Sequence, residues 1–253
     1  MKRPTKRTKQ EALKIIGFVW MLLHVYASSA QITTDLNPHI KTEDPTETIL
    51  YTALKKGFVS IMAEVQLVEG ELRTGDDQSF EDLYLRPLYD RIQKNNGRIY
   101  QDHIGHFYLF IQIEGDEMHT LNALEKTLNA YGGMIAGFKW NSQSNPLKVV
   151  LIGATPELAS QIMNQASSLI TLEGDYFHLD QTISYTKMPV VGLNYDNLDH
   201  ESLRRTAKRL HRKRKKLRVY NVPHDEGLWK SLIDSGTDFI NSKKTQVLLS
   251  RTL

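Results

Sequence analysis

Residues 57–77 read GFVSIMAEVQLVEGELRTGDD, and they concentrate carboxylates after an alternating run. Glu64 lies near the end of that run, with Glu69, Glu71 and the pair Asp76-Asp77 behind it. A second alternating run, FYLFIQIEGD, ends on Gln112 and Glu114. Oxygen ligands of this kind hold hard divalent cations. Glu64 with Asp76 and Asp77 would make such a site; the alternative is a GDD turn whose acids are solvated or cap the chain. His103 and His106 in QDHIGHF are spaced i, i+3 in a glycine-containing loop and form either a metal pair or ordinary loop histidines. The chain has no cysteine, which excludes disulfides, thiolate catalysis and Cys-ligated zinc.

The elements that carry these residues follow from periodicity. In the first run Val59, Ile61, Ala63, Val65 and Leu67 share one face, and Ser60, Met62, Glu64 and Gln66 the other. Strands are expected at 32–36, 58–67, 107–113, 148–153, 168–172, 189–194, 217–222 and 237–241. Helical patterns lie at 46–57, 80–97, 118–133, 155–166, 198–216 and 224–236. Pro87 is expected to kink the second of them, and Thr155-Pro156 offers an N-cap and first-turn pair to the fourth. Residues 173–188 show no helical pattern, so one helix is expected to be missing. Strand–helix alternation with eight strands fits an α/β fold, a short single-domain TIM-type (β/α)8 barrel. An open doubly wound sheet is the competitor, and no GxGxxG follows the first strand to favour a dinucleotide site. Alternate residues of a barrel strand point inward, so Met62 and Glu64 would face Tyr108, Phe110, Gln112 and Glu114. Glu64, Gln112 and Glu114 would then meet at the mouth, where a carboxylate needs a cation, a donor or water.

Residues 1–30 have a basic start, a 13-residue apolar stretch (IIGFVWMLLHVYA) and small residues at Ser28 and Ala30. This is the layout of a signal peptide, leaving 31–253 as the domain and implying an exported, periplasmic or secreted protein. The apolar stretch is shorter than the roughly 18–20 residues that span a bilayer. The leader holds six Lys/Arg and one acid. Without it the formal charge changes from +3 to −2, which gives no reason to expect nucleic-acid binding. The run RRTAKRLHRKRKKLR (204–218) reads as an outer helix with Leu203, Ala207, Leu210 and Leu217 inward and its basic groups outside. Such a face would also suit an anionic membrane surface.

The first of these stretches, extended through FEDLYLRPLYDRIQKNNGRIY, resembles a family pattern: G-F-x-S-I-E-A-D-V-x-L-x-D-G-x-L-x-V-x-H-D followed by Y-L-x-P-L. KLRVYNVPHDEGLWKSLIDSGTDFINS resembles the closing K-x-R-F-W-x-x-P-D-x-x-x-W-x-x-L-x-x-x-G-V-D-x-I-N-T of the same proteins. These are bacterial and fungal proteins named after altered inheritance of mitochondria. They belong to the PLC-like phosphodiesterase superfamily of phosphatidylinositol-specific phospholipase C and glycerophosphodiester phosphodiesterase. The resemblance covers most of 36–245 and implies a TIM-type barrel that cleaves phosphodiesters with two histidines and a carboxylate-held Ca²⁺ or Mg²⁺. Carried over by position, His39 and Asp76 fall at catalytic places. Lys41 and Glu114 fall at substrate-binding places, and Glu64, Gln112 and Asp77 at metal-binding ones. Several are departures. Lys41 and Asp76 replace histidines, Met62 replaces a metal-binding Glu, and Gln112 and Glu114 replace Asp and Lys. A thioether does not hold a hard cation, and an exposed aspartate is a poor proton donor near neutrality. Beside a membrane-surface binding module working through 204–218, the resemblance therefore leaves two outcomes for the site. One is a barrel that binds a phosphodiester, lipid head group or other anion with little or no turnover. The other is an active phosphoric diester hydrolase rebuilt from Glu64, Asp76, Gln112 and His39.

Overall fold

The computed structural model describes residues 49–75, 77–138, 142–179 and 181–242, and the backbone of 248–250. His39, Lys41, Asp76 and the expected strand 32–36 lie outside the described residues. Six helices and nine strands alternate along the described chain. After α1 (Ile49–Lys55) come β1 (Ser60–Val68) and β2 (Glu71–Thr74). A π-helical turn, Glu81–Leu85, runs into α2 (Arg86–Lys94), and β3 (Phe107–Ile113) follows. Then come α3 (Glu117–Ala130), β4 (Leu147–Ile152), α4 (Pro156–Asn164) and β5 (Ile170–Gly174). The chain continues through β6 (Val190–Asn194), α5 (His200–Arg212), β7 (Lys216–Val222), α6 (Glu226–Asp234), β8 (Phe239–Ser242) and β9 (Leu248–Ser250).

All nine strands form one sheet in the order β2-β1-β3-β4-β5-β6-β7-β8-β9. The pairs from β1 through β3 to β8 are parallel, and β2 and β9 are antiparallel edges. The sheet curls. Phe239 on β8 packs its ring 4.8 Å from Tyr108 and 5.2 Å from Phe110, both on β3, with four strands between the two in the order. No β-pairing among the described residues joins the two edges, so a curled α/β sheet is present but a closed eight-stranded barrel is not shown.

The curl sorts side chains as period-2 alternation requires. Ile61, Ala63 and Val65 of β1 face outward into the main core with Leu50, Leu85, Leu88 and Leu121. Met62, Tyr108, Phe110, Val150, Ile152, Val190 and Phe239 fill the concave lumen. β4 is buried along its whole length, as a central parallel strand covered on both faces must be. Helix starts are fixed by side-chain caps. Asp116, Thr155, Asp199 and Asp225 accept from first-turn amides of α3, α4, α5 and α6.

Three features differ from expectation. β2 arises because Glu69 (φ 52°) and Gly70 (φ 86°) form a two-residue turn with both residues left-handed, which sends the chain back beside β1. The turn before α2 is wide because Pro87 has no amide to give and falls at the start of the α-helix, while Arg86 N–H reaches Glu81 O five residues back. The basic run is not one helix. α5 stops at Arg212, and β7 takes over at Lys216. Leu203, Ala207 and Leu210 are inward as expected, but Lys215 and Arg218 are 2% and 5% exposed rather than outside.

Candidate binding site at the lumen mouth

The C-terminal strand ends surround a cavity of about 450 Å³. Met62 of β1, Gln112 of β3, Glu173 of β5, Arg218 and Tyr220 of β7 and Asn241 of β8 all line it. At its centre is an ion pair. Arg218 Nε donates to Glu173 Oε1 at 2.6 Å and Nη2 to Oε2 at 2.7 Å, with both side chains less than a tenth exposed. A planar guanidinium meeting a carboxylate through two N–H groups is the strongest geometry such a pair has. The two residues belong to strands on either side of β6, and Gly192 of β6 stands in register with Arg218. A Cβ on Gly192 would lie 2.5 Å from the Glu173 carboxyl carbon, so the missing side chain is the space in which the pair meets. The guanidinium also stacks 5.0 Å from the Tyr220 ring and 5.7 Å from Phe110.

The connection after β5 adds a second polar pair. Asp175 Oδ1 accepts from Phe177 N at 2.9 Å and lies 2.7 Å from His178 Nδ1. The ring is thereby oriented by the carboxylate, and the opposite nitrogen, Nε2, has no partner among the described residues. Asp175 and His178 both line the mouth. Asn221, with φ 58°, donates its amide to Asn194 Oδ1 at 3.4 Å on the same rim.

The residues expected from the sequence are partly brought together. Glu64 stands opposite Gln112 in the β1–β3 register, as the alternation implied. Gln112 Nε2 donates to Glu114 Oε1 at 2.7 Å. Of this group Gln112 lines the cavity, whereas Glu64, Glu114 and Asp77 do not. The Glu64 carboxylate turns toward the β2 turn, where a Cβ on Gly75 would lie 3.7 Å away. Asp77, at φ 55°, works as a turn residue. Its N–H donates to Thr74 O at 2.8 Å, and its carbonyl accepts from Arg73 Nη1 at 3.2 Å. His103 and His106 precede β3 and so sit at the opposite end of the strands. His106 Nδ1 is 2.8 Å from Asn145 O, and burial, with the nearby Lys148 charge, pushes it down to about 4.

No protein-family model matches this chain, and no curated protein matches it. The phosphodiesterase resemblance therefore stands on the two motif blocks alone.

Ca²⁺ or Mg²⁺ fits the described residues poorly. Met62 packs its thioether into the aromatic lumen, and the Gln112 amide is committed to Glu114. No three His, Asp or Glu side chains converge among the described residues. Glu173, Arg218, Asp175, His178 and Asn241 were not singled out from sequence. The available signal was a glutamate ending SLITLE and an arginine on the inward parity of KLRVYNV. A charge on an interior strand position marks a buried pair or a site.

Proposed function

We propose that this chain is an exported, divergent member of the PLC-like phosphodiesterase superfamily. In this reading the curled sheet belongs to a TIM-type barrel, and its mouth binds a phosphodiester or related small anion with little or no turnover. The observation that carries the reading is the exchange of roles at the mouth. Met62 occupies the place of the family's metal-binding glutamate and packs into the lumen, while the cation facing the cavity is Arg218. Glu173 engages Nε and Nη2 of Arg218, which leaves the two N–H groups of Nη1 for a ligand oxygen. Glu173 and Asp175 both line the mouth beside Arg218, so a singly charged phosphodiester suits it better than a dianion. Tyr220, Asn221, Asn241 and His178 Nε2 supply further hydrogen-bonding groups around the ligand. Loss of one positioned proton donor typically costs about 10²- to 10⁴-fold in rate, which is the basis for expecting binding without efficient cleavage.

The second reading, an active hydrolase with a rearranged site, is favoured by the Asp175–His178 pair, which would supply a general base at the cavity wall. One experiment separates the two. The full chain is titrated with glycerophosphocholine and assayed for turnover of the same compound and of bis-p-nitrophenyl phosphate, with Ca²⁺, Mg²⁺ or EDTA. Binding is expected without turnover, and Asn241→Asp, which adds a negative charge to the wall, weakens it about tenfold. Metal-dependent turnover abolished by His39→Ala would overturn the reading, and metal-independent turnover abolished by His178→Ala would favour the second.

A further inference from the structure

The short 3₁₀ turn Tyr176–His178 faces two ways. Its His178, with Asp175 before it, lines the mouth, whereas Tyr176 and Phe177 are 70% and 80% exposed. Beside these two rings lies a groove of about 370 Å³ with Leu179, Leu193, Leu198 and Leu203 in its walls; it adjoins the mouth, with which it shares Asp175, Gly192 and Tyr220. That volume falls within the range of small-molecule sites. The groove opens into a trough of about 890 Å³ along α5, and the two share Tyr176, Leu179, Asp199, Ser202 and Thr206. Arg205, Lys208 and Arg212 stand on the trough wall, all exposed. Lys208 and Arg212 have no ion-pair partner among the described residues, and Arg205 faces Asp199, whose carboxylate is already occupied in capping α5.

An aromatic pair held in water over an apolar floor marks a contact surface. Cations along one wall give that surface a sign. We propose that this groove is a second ligand site, next to the mouth but built from other side chains (the exposed rings, the leucines and the α5 cations), for an amphipathic anion: one alkyl chain carrying a phosphate or carboxylate head. The chain lies between Tyr176, Phe177 and the leucines, which alone accounts for the exposed rings. The head is held by Arg205, Lys208 and Arg212, which would gain nothing from a neutral ligand. A bare anion would use the cations and ignore the rings. A flat anionic bilayer would reach the rings and cations but not the enclosed leucines.

The test is calorimetric titration of the full chain with decyl phosphate below its critical micelle concentration, with decanol, and with inorganic phosphate. Decyl phosphate is expected to bind one per chain. The variant Arg205→Gln, Lys208→Gln, Arg212→Gln weakens it about tenfold, the sum of several exposed charge contacts, and leaves decanol unchanged. Tyr176→Ser with Phe177→Ser weakens both, and Asn241→Asp at the mouth changes neither. The substituted side chains are exposed, and unchanged thermal melts separate lost binding from lost folding; if the aromatic double variant melts early, Phe177→Ser alone is used. The proposal is overturned if inorganic phosphate displaces decyl phosphate at equal concentration, or if the aromatic variants bind within twofold of wild type. It is also overturned if the chain binds phosphatidylglycerol vesicles but not the monomeric amphiphile, which would make α5 a bilayer-adsorbing face.

Discussion

Arg218 and Lys148 are both strand cations turned into one lumen, and both are nearly buried, at 5% and 2% exposed. Arg218 is near the mouth and meets Glu173 through two hydrogen bonds. Lys148 is near the base, in register with Tyr108, and has no partner among the described residues. Burial alone pushes its ammonium down to about 8. At one end the charge of a cation is offset by a carboxylate that is held in place through a missing side chain at Gly192. At the other the charge is a cost the fold carries. The mouth keeps a buried ion pair, matched through Nε and Nη2 of Arg218, that stability alone does not require. A bound ligand would give the mouth a reason for it.

Breaking the pair is the severest test of that contrast. Arg218→Met leaves Glu173 buried without its cation and is expected to cost about 3–5 kcal/mol, whereas Arg218→Met with Glu173→Leu returns to within about 1 kcal/mol of wild type. Urea denaturation reads both. A single variant that loses under about 1 kcal/mol would mean the pair is effectively solvated, and the two ends would no longer differ.

Removing the base cation should act in the opposite direction. With the folded value near 8 and the ordinary value 10.5, the unfolded chain takes up a proton between those pH values and the folded chain does not. Stability therefore rises with pH through that window, and below it the whole cost is present, about 3 kcal/mol at pH 7. Lys148→Met is expected to be more stable than wild type by about 2–3 kcal/mol at pH 7 and to lose the slope between pH 8 and 10.5. A less stable variant would show that Lys148 has a partner in the folded chain.

The contrast also marks what the sequence could disclose. Local rules placed most elements well. β3 agrees with its expected span end to end, and α4 begins at the Thr155-Pro156 cap. Period 2 also put Met62 and Gln112 on the lumen side, because alternation is a property of single strands. β2 escaped because its turn is Glu-Gly rather than Asn-Gly or Asp-Gly, and its four residues are partly exposed. The Glu173–Arg218 pair escaped for a different reason. The partners are 45 residues apart, and their meeting depends on β6 lying between them with glycine at one register position. In sequence Arg218 looks like the last cation of a surface run. Its burial is decided by where α5 ends.

His106 gives the smallest and most delicate test, since it shares the base with Lys148. Its imidazole is largely buried against Asn145, and the folded value of about 4 lies below the ordinary 6.5. The unfolded chain therefore binds a proton that the folded chain refuses as pH falls from 6.5 towards 4. Stability is lost across that interval and levels off below it, by about 2 kcal/mol once partial exposure is allowed for. His106→Asn keeps a donor for the Asn145 carbonyl and has nothing to titrate, so its urea midpoint should change less than that of wild type between pH 7 and 4.5. Lys148 is the second cause of the depression after burial, so Lys148→Met should raise the His106 value and narrow the acid-sensitive interval. Titration of the His106 ring by NMR in both backgrounds measures this directly. An unchanged value would mean the two groups do not share one low-dielectric base, and the lumen would have to be read as two separate compartments.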